Sequence, residues 1–173
     1  DHRDLHSFPT RRSSDLQILN KIIYKLNIVL YEPEIPQNTG NIVRLAACTN
    51  SDVFLIGKLG FSIDSRHLKR AGLDYWGDVN IRRIEKIEDL WQEFPDNDFY
   101  YLTTKTQNYY TDVKYKDGDF LVFGPESRGI PEELLFSKGK HSITIPMQDG
   151  QRSLNLSNSV AIVVYEALRQ ING

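Results

Sequence analysis

From residue 26 onward, short apolar runs rich in β-branched and aromatic residues alternate with longer segments of helical period. The runs are NIVLY (27–31), DVFLIG (52–57), a weaker DVNIRRI (78–84), DFYYLTT (98–104), DFLVFG (119–124) and HSITIP (141–146). Between them stand NTGNIVRLAACTN (38–50), SRHLKRAG (65–72), EKIEDLWQEF (85–94) and PEELLFSKG (131–139), and LNLSNSVAIVVYEALRQI (154–171) closes the pattern. Short runs without polar alternation need cover on both faces, so the chain is expected to fold as an α/β layered domain around a largely parallel sheet. In the last segment Val160, Val163, Val164, Ala167, Leu168 and Ile171 recur at helical spacing and Gly173 follows as a stop. A stripe that broad serves either core packing or a subunit interface.

The first residues stand apart. DHRDLHSFPTRRSSDL (1–16) is polar, has no sustained period and reads as a non-native leader. Residues 17–173 are expected to form one domain, since a chain of 173 residues suits one core better than two. Whether QILNKIIYK (17–25) is helix or strand stays open.

Glycine and proline mark three places where chemistry would be presented. FGPESRGIP (123–131) follows an apolar strand run directly, where ligands gather in open α/β sheets. Gly124 permits close approach to the main chain, Pro125 fixes the turn, and Glu126, Ser127 and Arg128 are held before the second joint at Gly129. YEPEIPQNTGNIVR (31–44) carries two prolines, Asn38 as the expected N-cap of a helix, and Arg44 nearly two turns later. Arg44 is then either a solvated helix charge or a group aimed at a cleft or a partner chain. IPMQDGQRSLNLSNS (145–159) ends a strand at Ile145 and sets Ser153, Asn155, Ser157 and Asn158 around a helix start, where they serve as caps or as neutral ligand donors.

Other chemistries lack their residues. No GxGxxG follows a strand, and GxxxxGK[ST], GxSxG and HExxH are missing. His67 and His141 are the only histidines after the leader, so no metal site is expected. Cys48 is the only cysteine, which excludes an intramolecular disulfide and suits a reducing cytoplasm. No apolar stretch approaches the roughly 18 residues of a membrane span. The formal charge of -2 names no partner, although SRHLKR (65–70) and IRR (81–83) form local basic clusters. A cleft with one arginine, one glutamate and neutral Ser and Asn groups suits group transfer better than hydrolysis.

The three loops, in this order, resemble the motifs of the SPOUT superfamily of RNA methyltransferases. Within it the sequence is similar to the tRNA 2'-O-methyltransferases that modify the wobble nucleotide, cytidine or uridine 34, of leucine tRNAs; KRAGLDYWGDV (69–79) also matches that subfamily. The resemblance runs from about residue 26 to 171 and implies a parallel-sheet domain whose C-terminal part is a deep trefoil knot, working as a homodimer. It implies S-adenosylmethionine as cofactor, contacted by Leu102, Gly124, Ile145 and Ser153, where Leu102 and Ile145 contribute main-chain groups or are ordinary core. It implies a centre made of Arg44, Asn38, Glu126 and Asn155, with Arg44 either the general base for the ribose 2'-hydroxyl or only the group that positions it, and Glu126 alternatively bonding only loop amides. The expected RNA contacts are Arg66, Lys69, Arg70 and Arg128, with Tyr75 and Trp76 available to stack an anticodon-loop base. For the basic clusters the other reading is a solvated helix face.

Overall fold

A computed structural model of the protein describes residues 21–137 and 141–172. The expected leader lies outside the described residues, and residues 21–25 carry no helix or strand. Six strands follow: β1 (Asn27–Tyr31), β2 (Asp52–Ile56), β3 (Ile81–Ile84), β4 (Phe99–Leu102), β5 (Phe120–Phe123) and β6 (Ser142–Ile143). Five α-helices lie between and after them: α1 (Pro36–Cys48), α2 (Arg66–Gly72), α3 (Ile87–Glu93), α4 (Glu132–Ser137) and α5 (Leu156–Asn172). A 3₁₀ helix, Leu73–Asp78, continues from α2. All six runs expected as strands contain one, and every pairing is parallel in the order β3-β2-β1-β5-β4-β6.

The strands are apolar on both faces because both faces are covered. With side chains alternating across a strand, Ile28, Leu30, Val53, Leu55, Leu121 and Phe123 join Ile42 and Ala46 of α1 and the buried stripe of α5 in one core. Val29, Phe54, Ile56, Phe99, Phe120 and Val122 face the other way and pack on Ile87 and Leu90 of α3 and Leu135 of α4. The stripe on α5 is therefore chiefly core: Val160, Val163, Val164 and Ala167 have no exposed surface, while Tyr165 on its back is 52% exposed.

This topology fixes where a site can form. β1 and β5 are neighbours, yet the helices that follow them, α1 and α4, pack on opposite faces of the sheet. The loops leaving the two strands must separate, which opens a crevice at their carboxyl ends. The same crevice continues past β4 and β6.

Candidate active site

The loop after β5 turns back on itself at van der Waals limits. A Cβ placed on Gly124 would lie 2.3 Å from the carbonyl carbon of Gly129 and 2.3 Å from the nitrogen of Ile130, both main-chain atoms. No side chain can occupy that position, so the glycine is a steric necessity of the loop closure. Gly129 completes it at φ +69°, in the left-handed region that glycine enters readily.

The loops after β1 and β5 then exchange carboxylates. Glu126 Oε2 accepts from the Glu34 amide (2.7 Å), and its Oε1 accepts from the Ile35 amide (3.1 Å) and from Asn38 Nδ2 (3.3 Å). In the other direction Glu34 Oε1 accepts from the Ser127 amide (2.9 Å) and hydroxyl (2.7 Å). The Ser127 hydroxyl, followed by its amide, holds the Glu34 carboxyl below the usual carboxylate range. Arg128 Nη2 donates to Glu32 Oε2 at 2.6 Å, and Glu32 itself adopts φ 46°, uncommon for a residue with a side chain.

Asn38 does not cap its helix. α1 starts earlier, with Ile35 at the N-cap position and Pro36 in the first turn, and no side chain of its own segment caps it. Pro36 has no amide to satisfy; the free amides just before it are taken by Glu126, a carboxylate placed where the helix dipole favours negative charge. Asn38 is instead a buried relay, receiving a hydrogen bond on Oδ1 from Asn155 Nδ2 at 3.1 Å. Asn155 is a cap: its Oδ1 accepts from the amides of Ser157 (2.9 Å) and Asn158 (3.3 Å) at the start of α5. One chain of hydrogen bonds, Asn155 to Asn38 to Glu126, thus joins all three loops.

These loops enclose a cavity of about 620 Å³, within the range typical of small-molecule sites. Leu102, Gly124, Ile145 and Ser153, the four residues expected to meet a cofactor, all line it, as do Asn38, Glu126, Asn155 and Arg128. Leu102 and Ile145 also pack against the first core, so each borders both the cavity and the interior. Thr103, Thr144, Met147 and Arg152 line the cavity too and were not anticipated; no local pattern marks them. The Glu34–Ser127 and Glu32–Arg128 pairs were equally hidden, their only trace being two glutamates on a proline-bound loop.

Arg44 is elsewhere. It lies on the exposed side of α1, outside the cavity lining, with its guanidinium carbon 5.4 Å from the centre of the Tyr75 ring. It stands six positions after Asn38, about 9 Å along a helix and on a different face. Arg66, Lys69 and Arg70 are exposed on α2, which packs against α1. They also lie outside the cavity lining. Arg128 differs from them: it stands at the cavity, already paired with Glu32. Tyr75 is not a bare stacking platform, since Arg44 covers one face. Among the described residues no cluster of His, Cys, Asp or Glu could hold a metal ion, and no helix is long and apolar enough to cross a membrane.

The profile of the SpoU rRNA methylase family matches residues 25–165. The chain belongs to that family. Two relatives match it over nearly their whole length. It is 48% identical over 148 residues to the putative tRNA (cytidine(34)-2'-O)-methyltransferase of Geobacillus stearothermophilus, covering 84% of this chain and 94% of that protein. It is 46% identical over 147 residues to the tRNA (cytidine(34)-2'-O)-methyltransferase of Escherichia coli K12, with 84% and 94% covered. A solved structure concerned with 2-OH methylation of C/U34 on tRNA superposes with TM-score 0.80 at 41% identity, covering 85% of this chain and 96% of the other. The SpoU methyltransferase AviRb from Streptomyces viridochromogenes, in complex with AdoMet, shares the fold at TM-score 0.75 and 18% identity, with 87% and 60% covered.

Proposed function

We propose that this protein transfers a methyl group from S-adenosylmethionine to the ribose 2'-hydroxyl of the wobble nucleotide, C34 or U34, of tRNA, with leucine tRNAs as its substrates. The observation that carries the reading is the cavity at the sheet's carboxyl rim, walled by three hydrogen-bonded loops and pinched by main chain at Gly124. Such a cradle suits a ligand held largely by main-chain groups, and the similarity to relatives named for that reaction supplies the substrate.

When bound there, the donor's sulfonium supplies a methyl group already activated toward a nucleophile. What remains for the chain is positioning and removal of one proton. Leu102, Gly124, Ile145 and Ser153 would hold the donor, while Asn155, Asn38 and Glu126 keep the loops in register. A guanidinium is cationic at neutral pH, so Arg44 orients the ribose hydroxyl by donating to it, and the hydroxyl proton passes to solvent. Arg44 lies away from its own protomer's cavity, which supports a homodimer in which Arg44 of one protomer faces the cavity of the other. Ile35 and Leu154, 42% and 40% exposed at the cavity mouth, give such a pairing apolar surface.

The same reading includes the knot. β6 pairs with β4 through Leu102 and Ile143 on one side, and Thr144 bridges Tyr109 on the other. The Tyr115 amide, further along the loop between β4 and β5, donates to Gln170 of α5. Because β4 and β5 are themselves paired, the loop between them would form the ring of chain through which the segment leading into α5 passes. That arrangement supports a C-terminal deep trefoil knot; the reading also takes residues 17–173 as one domain and the enzyme as cytoplasmic.

The test is to map methylation. tRNA from a deletion strain, incubated with the protein and labelled donor, should gain one 2'-O-methyl group at nucleotide 34 of leucine tRNAs; a different position, or none, overturns the proposal. Arg44→Lys, with a compact ammonium for a planar fork, is expected to slow turnover by about 100-fold, and wild-type turnover would remove Arg44 from the reaction. Neutralising Arg66, Lys69 and Arg70 together should weaken tRNA binding and lower its salt slope by about 2 to 3, with donor affinity intact. Unchanged tRNA affinity would refute that surface.

A further inference from the structure

We infer that Tyr75 is a positioning residue for Arg44, holding the guanidinium plane while leaving its hydrogen-bonding edge free. The inference rests on the role given to Arg44 above. Arg44 projects from the exposed side of α1, and its guanidinium carbon lies 5.4 Å from the Tyr75 ring centre. Tyr75 is set there by the 3₁₀ turn Leu73–Asp78, which packs against α1. Among the described side chains Arg44 has no carboxylate within ion-pair distance, in contrast to Arg82, Arg128 and Arg169, which are each paired to a glutamate.

The distinction matters chemically. A carboxylate partner binds the in-plane N–H groups and neutralises the charge. An aromatic face attracts the cation without using any N–H, because the interaction is with the ring's π-face. All five donors then remain for a ribose hydroxyl and the adjoining phosphates. The ring also restricts a long side chain that would otherwise have to be ordered when substrate binds, a cost of the order of the rotamer entropy of arginine. Tyr75 therefore acts on orientation at Arg44. With one face of its ring taken by the guanidinium, Tyr75 has only the other face to offer a stacked base.

The test compares Tyr75→Phe, which keeps the ring, with Tyr75→Leu, which removes it. Single-turnover methyl transfer to tRNA by Tyr75→Leu should fall by about fivefold to tenfold, with donor and tRNA dissociation constants within about twofold of wild type. Tyr75→Phe should stay within about twofold on every measure. A second readout needs no substrate: the Arg44 Hε resonance should show a ring-current shift in wild type and Tyr75→Phe that is lost in Tyr75→Leu. The inference is overturned if Tyr75→Leu turns over normally, if Tyr75→Phe is impaired equally, or if the loss is in tRNA affinity alone. It is also overturned if the Arg44 resonance does not move. Arg44→Ala separates this from the underlying reading: wild-type turnover in that variant sinks the role of Arg44, whereas impaired Arg44→Ala beside normal Tyr75→Leu sinks only the role of Tyr75.

Discussion

Gly124→Ala is expected to abolish binding of the methyl donor and to lower the unfolding midpoint by roughly 6–12 °C. The added carbon would sit 2.3 Å from two main-chain atoms of the same loop. A flexible side chain could rotate away from such an intrusion; Gly129 and Ile130 main chain can move only by opening the loop. Overpacking against atoms that cannot yield costs about 3 kcal/mol or more, at the upper end of single-substitution effects. The loop carries Glu126, Ser127 and Arg128, so opening it also breaks the exchange of carboxylates with the loop after β1. Calorimetry and donor titration would check both parts. An alanine variant with native stability and native donor affinity would mean that the two stretches of chain are not in contact.

The contrast between Gly124 and Asn38 shows what a linear sequence discloses about this site. Gly124 was legible because its requirement is local: a strand ends, a proline follows, and a glycine stands between them. The strands were legible for a similar reason, since burial on both faces leaves an unbroken apolar run; only β3, at the sheet edge, was faint, and its residues are the least buried of the longer strands. Asn38 was expected to cap α1 because it precedes an apolar helical stretch. The helix begins three residues earlier, with Ile35 at the cap position, because the amides just before it are satisfied from another loop, by a residue 91 positions away in the chain. No local pattern encodes a cap supplied across the fold. The place of Arg44 was hidden likewise, because its ring partner belongs to a 3₁₀ turn that meets α1 only after folding.

Glu126 carries the second large effect. Its two oxygens serve three donors, the amides of Glu34 and Ile35 and the side chain of Asn38. Glu126→Ala leaves all three without that acceptor. Hydrogen bonds to a charged group contribute about 1.5–3 kcal/mol each, and a carboxylate at a helix N-terminus adds about 0.3–1 kcal/mol. Water can reach part of this loop and replace some of the loss, so a stability decrease of about 2 kcal/mol, or roughly 4–8 °C in midpoint, is expected. Methyl transfer should fall further, by about 100-fold, because Asn38 loses the anchor that ties Asn155 and the third loop to the first, and small displacements of a positioned group are costly. Glu126→Gln is the informative companion. Its amide presents a donor toward one of the existing donors, so it should behave nearer to alanine than to glutamate, although its volume is nearly unchanged. Thermal melts and single-turnover methyl transfer on the two variants distinguish the outcomes. If glutamine preserves both stability and rate, the carboxylate is not needed as a double acceptor and the three-loop clamp is held by something else.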